Sequence, residues 1–504
     1  MSIAYANKSG LISQWNLRSV MRLCAASFFC LTIIAPLILS QYEFSSLQVL
    51  LAMVLLGVCL YPSYRYVMQD SAGVPVLPLL CLAYAAQFAI PIFTRDAVMS
   101  LAYDDAILEN EEVVMALVMT IIGVCVMQLA YHLLQTKKIN KVLPAINLPL
   151  NVNRAKLYCV FIFALAQILS LVELFLPIEF KSPLSSFIAL FQNQVLVAIG
   201  ILSWVVYKKH GNKWLKVLLY IIVGITIVRN ASTTMLESIL IPIAVLFTTR
   251  WIYTRRVPIF GFIFIGLIVV FLSPVKGDIR KSAATENAVA ADSSVTNRAV
   301  QWFGQATDYW VAVFTENRGL LESASDTTSR TDLIHQFAYI YASTPERVPY
   351  QYGESYKYFA VALIPRVLWP GKPTANSANT FYAINYGVST EQILETSTFG
   401  VTLIGEGYMN FGFFGVLLVM FMQGTVLSLL EQIFAGRKAG AGGWAIFIAT
   451  LVYLLNGIGS SAEVMFGAVL QNLIASCILL WWIREKPSTI RIAILRTARL
   501  ALEK

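Results

Sequence analysis

Charged side chains are scarce in this chain: they make up 13% of its 504 residues against 58% hydrophobic ones, and the mean hydropathy is +0.68. An average soluble domain is about one-quarter charged, so there is too little polar surface here to cover a water-soluble globule. A β-barrel is excluded as well, because its strands need only about 10 alternating residues, whereas unbroken apolar runs of roughly 18 or more recur from end to end. Cysteine is missing wherever it could do chemistry. All seven (Cys24, Cys30, Cys59, Cys81, Cys125, Cys159 and Cys477) fall in apolar stretches with no CxxC pair, so they read as small buried side chains and exclude a disulfide framework. The sequence contains no HExxH, no Walker loop, no GxSxG and no convincing metal-ligand cluster. Internal repeats are absent too, and with them the inverted halves of many transporters.

What is present is a series of spans, at 23–40, 47–64, 74–93, 113–134, 157–176, 184–206, 214–228, 236–253, 257–274, 411–432, 443–458 and 464–483. They predict an all-α, polytopic helical membrane protein with about 12 transmembrane helices. Four parts follow: an N-terminal bundle over 1–274, a large loop over 275–410, C-terminal spans over 411–483 and a basic tail over 484–504. The first span follows Lys8, Arg18 and Arg22; with no small-residue cleavage site leading into a soluble domain, it reads as an uncleaved anchor.

Charge gives the orientation. The N-terminal segment and every second connection together hold 24 of the 37 Lys and Arg residues but only Asp70, Glu485 and Glu503 among the 28 acids. The positive-inside rule places that side, and both termini, in the cytoplasm. The pI near 9.1 is then a product of topology and no argument for nucleic acid. The tail, with Arg491, Arg496 and Arg499 on an apolar stretch, reads either as an amphipathic segment on anionic lipid or as a plain stop-transfer anchor.

The connection between the ninth and tenth spans then lies outside, and loops that long usually fold and carry function. Trp302, Phe303, Tyr309, Trp310 and Phe314 predict an interfacial helix over 296–316. Leu333, Ile334, Phe337 and Tyr341 predict a second over 331–342, with Ser329 and Asp332 as its cap and Pro345 barring its continuation. A third is expected over 354–364, followed by a stretch stiffened by Pro365, Pro370 and Pro373.

Ionisable groups at membrane depth are costly and default to functional candidates. Arg229 ends the seventh span and Glu237 starts the eighth; the plain alternative is that they pair. Lys276, Arg280, Arg366 and Lys372 suit a phosphate or diphosphate, or simple interfacial anchoring. Of three histidines, only His335 falls outside, with Asp332 three residues earlier on the same helix face. A carboxylate there orients the imidazole and raises its basicity. Glu406, between Gly405 and Gly407 at the mouth of the tenth span, is a second candidate base or sugar ligand, or else a helix-start carboxylate favoured by the dipole.

Taken in order, Ser329-Arg330-Thr331-Asp332-Leu333, Pro345-Glu346-Arg347-Val348, Tyr352-Gly353-Glu354-Ser355-Tyr356, Ile364-Pro365-Arg366-Val367-Leu368-Trp369-Pro370-Gly371-Lys372-Pro373 and Gly405-Glu406-Gly407-Tyr408-Met409-Asn410-Phe411-Gly412 resemble the Wzy-type O-antigen or repeat-unit polymerases, most closely over 329–415. The resemblance implies a GT-C-like membrane glycosyltransferase at the periplasmic face of the bacterial inner membrane. Such enzymes transfer a growing glycan from undecaprenyl diphosphate to the non-reducing end of the next lipid-linked unit. It further implies no metal and no cofactor, with a chain-length regulator of the polysaccharide co-polymerase type as partner. On this reading Arg229, Lys276, Arg280, Arg330, Arg366 and Lys372 bind diphosphate. Tyr408, Asn410 and Trp369 contact sugar, and His335 or Glu406 is the base, with Asp332 behind His335. The chain departs from those relatives whose loops carry Arg and, eleven residues on, Gly: Arg330 meets Tyr341 and Arg366 meets Ser377. An O-antigen ligase-like transferase and a flippase of lipid-linked sugars are the competing readings.

Overall fold

The computed structural model describes residues 45–68, 74–94, 96–135, 149–175, 178–208, 211–231, 236–254, 259–275, 295–315, 331–357, 359, 369, 377–394, 398–436 and 439–485. The helices that matter below are α1 (Ser46–Met68), α2 (Val76–Tyr84), α3 (Asn110–Leu134), α4 (Val152–Phe175), α5 (Ile178–Lys208), α6 (Lys213–Ala231), α7 (Leu236–Thr254), α8 (Ile259–Leu272), α9 (Val295–Thr315), α10 (Ile334–Ser343), α11 (Ser377–Asn385), α12 (Leu403–Leu430), α13 (Ala441–Asn456) and α14 (Ala462–Ile483). The one sheet among the described residues is an antiparallel hairpin of Val98–Ser100 with Asp105–Ile107.

Nine helices among the described residues are long and apolar enough to cross a membrane. α7 and α8 add shorter apolar stretches, Ser238–Thr254 and Ile263–Leu272. At 1.5 Å per residue the 14 residues of α8 reach only about 21 Å, less than the roughly 30 Å of a hydrocarbon core. The expected span at 23–40 lies outside the described residues. The apolar faces turned outward fit lipid rather than water: Leu157, Phe161, Ile168 and Leu171 on α4 are all more than half exposed. Helices apolar on every side are what a bilayer selects.

α12 packs most extensively on α3. A Cβ on Gly424 would stand 2.1 Å from the Met127 carbonyl oxygen, so the two backbones meet where only glycine fits. α12 also begins eight residues earlier than the expected span at 411. The Thr402 hydroxyl caps it by accepting the Gly405 N–H (2.9 Å), and Glu406 sits in its first turn. The helix breaks at Phe411–Gly412, where Gly412 takes φ +60°, ψ −144°, a conformation side chains avoid. Glu406, Tyr408 and Asn410 therefore ride on a two-turn half-helix, a discontinuity of the kind that membrane proteins tolerate in protein-lined interiors.

The described residues of the 275–410 connection pack against the helices. The expected helix over 296–316 is α9. Its Trp302 and Trp310 indoles donate to the Leu272 and Phe271 carbonyls that end α8, at 3.3 and 3.1 Å. The expected helix over 331–342 is α10, which starts at Ile334 and packs against α3 and α12. Its residues Ile334 to Ile340 are all buried, in the same core as the long helices. The chain turns away at Thr344–Pro345, a cis peptide. Of the expected helix over 354–364, one 3-10 turn, Glu354–Tyr356, is described.

Candidate functional site

His335 and Asp332 meet. The Asp332 carboxylate caps the first turn of α10, its Oδ1 accepting the His335 backbone N–H at 3.2 Å, while Oδ2 accepts from His335 Nδ1 at 2.6 Å. The expected cap paired Asp332 with Ser329, which lies outside the described residues; here the helix starts at Ile334 and Asp332 bonds to its first turn from two residues before it. The His335 and Asp332 side chains are both buried, at 3% and 1% exposed. Nδ1 faces the carboxylate, and the other ring nitrogen, Nε2, bonds to no described residue. The Leu333 N–H, one residue before α10, donates to the Gln87 carbonyl (3.0 Å) inside the π-turn Ala85–Ala89, which anchors the dyad to α2.

Glu406 is built into a different network. It is fully buried, and its two oxygens accept from the Ser355 hydroxyl (2.7 Å) and from the Ala462 N–H at the start of α14 (2.5 Å). Asn410, one turn later, donates to Ser355 Oγ and to the Glu406 carbonyl, both at 2.8 Å, and accepts the Gly353 N–H at 2.9 Å. The pair thus locks the Tyr352–Tyr356 turn and the head of α14 onto the half-helix. Burial, and then the charge of Glu406, push the Tyr356 phenol well above its ordinary pKa, so it stays neutral. No hydrogen bond joins His335 to Glu406.

Tyr408 is walled by Tyr341, Phe337 and Tyr350, with ring centroids 5.6, 6.0 and 6.2 Å away. Beside this wall Arg347 donates to the Tyr386 carbonyl (2.9 Å) and to the Tyr339 hydroxyl, its guanidinium 5.2 Å from the Tyr339 ring. Trp369 is 43% exposed and Tyr352 77%.

Arg229, at the end of α6, lines a cavity of about 260 Å³ with Gln167, Gln192, Asn193, Asn230 and Asn456. Asn456 closes α13, and three residues later Gly459 abuts Leu333 at the head of α10. This turn connects the cavity to the dyad. Lys276, Arg280, Arg330, Arg366 and Lys372 lie outside the described residues, as does the Glu237 side chain. The amides of the cavity carry a signal that the sequence holds in plain view: Gln192-Asn193-Gln194 is a polar triplet inside an apolar span. Arg347 and Ser355 stand in segments that carry the resemblance, but their bonds to Tyr386 and Glu406, 39 and 51 residues away, have no local pattern.

The described residues are all-α apart from one short hairpin, and their long apolar helices are those of the helical membrane class. Within that class the chain belongs to the family described as a domain of unknown function, DUF8712, which matches residues 149–490. No curated protein and no solved structure matches it.

Proposed function

We propose that this protein polymerises polyprenyl-diphosphate-linked oligosaccharide units at the periplasmic face of a bacterial inner membrane, with twelve spans and both termini in the cytoplasm. The observation that supports this reading is the buried His335–Asp332 dyad, whose Nε2 is engaged by no described residue, packed in the core that α10 shares with the long helices. Extension forms a bond between an acceptor hydroxyl oxygen and the donor's anomeric carbon. It breaks the bond from that carbon to the diphosphate, whose oxygen keeps the electron pair. His335 Nε2 takes the hydroxyl proton. Arg229, with Lys276, Arg280, Arg330, Arg366 and Lys372, offsets the charge that develops on the leaving diphosphate. Glu406, with both oxygens already accepting hydrogen bonds, serves as a positioning residue, and Asn410 likewise. Glycan contacts go to Trp369, to the aromatic wall around Tyr408 and to the exposed Tyr352.

The test is extension of a lipid-linked repeat unit by purified protein in detergent, where no membrane has to be crossed. A ladder of longer chains is expected from the wild type and from Glu406→Gln, and none from His335→Ala. Failure of the wild type to lengthen chains would overturn the reading. A dead Glu406→Gln beside an active His335→Ala would move the base to Glu406.

A further inference from the structure

The strongest unassigned feature lies at a seam between the start of α4 and the end of α14, far from the dyad in sequence. Three backbone contacts close it. Leu150 and Arg484 form an antiparallel bridge, the Asn151 N–H donates to the Ile483 carbonyl (3.3 Å), and the Glu485 N–H donates to the Pro149 carbonyl (2.8 Å). The Asn151 side chain caps α4 by accepting the N–H groups of Asn153 and Arg154 at 3.1 and 3.2 Å. The family match, residues 149–490, begins and ends around this seam.

On the seam sits a cavity of about 500 Å³ lined by Arg154, Leu157, Trp481, Trp482 and Arg484. The Arg484 guanidinium stacks over the Trp481 ring, 4.6 Å from its centroid, which fixes the cation in place. Among the described residues no carboxylate pairs with either arginine, although Glu485 follows Arg484 directly. Leu157, Trp481 and Trp482 are 65%, 58% and 67% exposed, so the cavity has a wide apolar flank. Indoles of this kind favour the headgroup level of a bilayer.

We propose that this cavity binds the phosphate of an anionic glycerophospholipid, with an acyl chain lying along Leu157 and Trp482. Two guanidinium forks match phosphate oxygens, and the apolar flank matches the chain beneath them. Charge argues against the alternative occupant, the tail that continues from Glu485. Residues 486–504 carry Lys486, Arg491, Arg496, Arg499 and Lys504 against Glu503 alone, so the tail and the two arginines repel one another.

The test is native mass spectrometry of the purified full chain with phosphatidylglycerol and with phosphatidylcholine. Phosphatidylglycerol is expected to be retained preferentially. Arg154→Gln with Arg484→Gln should weaken it by about tenfold or more, since charge-assisted hydrogen bonds are lost. Lys208→Gln with Lys213→Gln, charges outside the cavity, should leave retention unchanged. Equal retention of the two lipids by the wild type overturns the proposal whatever the variants do, and so does unchanged retention by the arginine pair. Displacement of the lipid by millimolar inorganic phosphate would make the site one for the free ion. Retention that appears only in a chain ending at Glu485 would make the tail the occupant.

Discussion

A histidine bonded to a carboxylate through Nδ1 has one nitrogen left for work, and at His335 that nitrogen is unengaged by any described residue. Positioned general bases contribute about 10²- to 10⁴-fold. His335→Asn, whose amide can still donate to the Asp332 carboxylate, is accordingly expected to lower the rate of chain extension by about that range while leaving the thermal transition within a few degrees of wild type. Loss of rate together with loss of the folded state would point to packing instead. Glu406 predicts the opposite pattern. Truncation to Ala strands the Ser355 hydroxyl and the Ala462 N–H in a buried site, at about 1–3 kcal/mol for each unsatisfied group. Glu406→Ala should therefore lower the melting temperature strongly. Glu406→Gln should recover most of it, because the amide oxygen can still accept from Ala462 and its NH₂ can donate to Ser355. The two residues also differ in how far the sequence reveals them. Asp332 and His335 are three apart at the head of α10, Asp332 just before the helix rather than on it, so their meeting is still a local matter that spacing predicts. The long-range partners of Glu406 and Asn410 are 51 to 57 positions away, and no local pattern encodes a lock of that kind.

At the scale of elements, the half-helix before Gly412 explains why the start of α12 is hard to read. Gly405, Gly407 and Asn410 are poor helix formers, and propensity alone leaves 403–410 in the loop. Tertiary packing overrides it: Thr402 caps the turn, and Glu406 and Asn410 fasten it to neighbouring segments. The apolar spans are legible for the converse reason, since a helix in lipid is apolar on all faces and needs no partner to be recognised. α10 stands between these cases. Its stripe of Leu333, Ile334, Phe337 and Tyr341 foretells a helix, yet an apolar stripe says nothing of the polar side, and His335, Gln336 and Ser343 are buried too. The break itself is testable. Gly412→Ala would force a side chain into φ +60°, ψ −144°, with its Cβ 3.1 Å from Tyr350 Oη. A strained backbone of this type costs about 1–3 kcal/mol. A melting temperature lowered by several degrees, with activity lost in proportion to the folded fraction or beyond it, is the expected result; an unchanged transition would mean that the break relaxes without strain.

At the scale of the whole molecule, one core runs from the long helices into the loop: Leu55 and Val124 share it with Phe337, Tyr382 and Val401. The described residues between 331 and 402 therefore pack with the bundle rather than as a separate lid. By the alternation of spans in the sequence, the Lys- and Arg-rich connections, with the Arg154–Arg484 seam, are expected on the side opposite the 275–410 connection. If that charge asymmetry orients the chain as the positive-inside rule requires, Tyr352 and Trp214, each 77% exposed, face opposite sides of the membrane. Tyr352→Cys and Trp214→Cys, made singly in a background with all seven native cysteines replaced, would be treated with a membrane-impermeant maleimide. The residue-352 thiol should react in spheroplasts with intact inner membranes, and the residue-214 thiol only after permeabilisation. Labelling of both from the same side would break the alternation of spans on which the periplasmic placement of the His335 dyad depends. The reverse pattern would put the dyad in the cytoplasm, where a chemistry other than extension of an exported lipid-linked glycan would have to be sought for it.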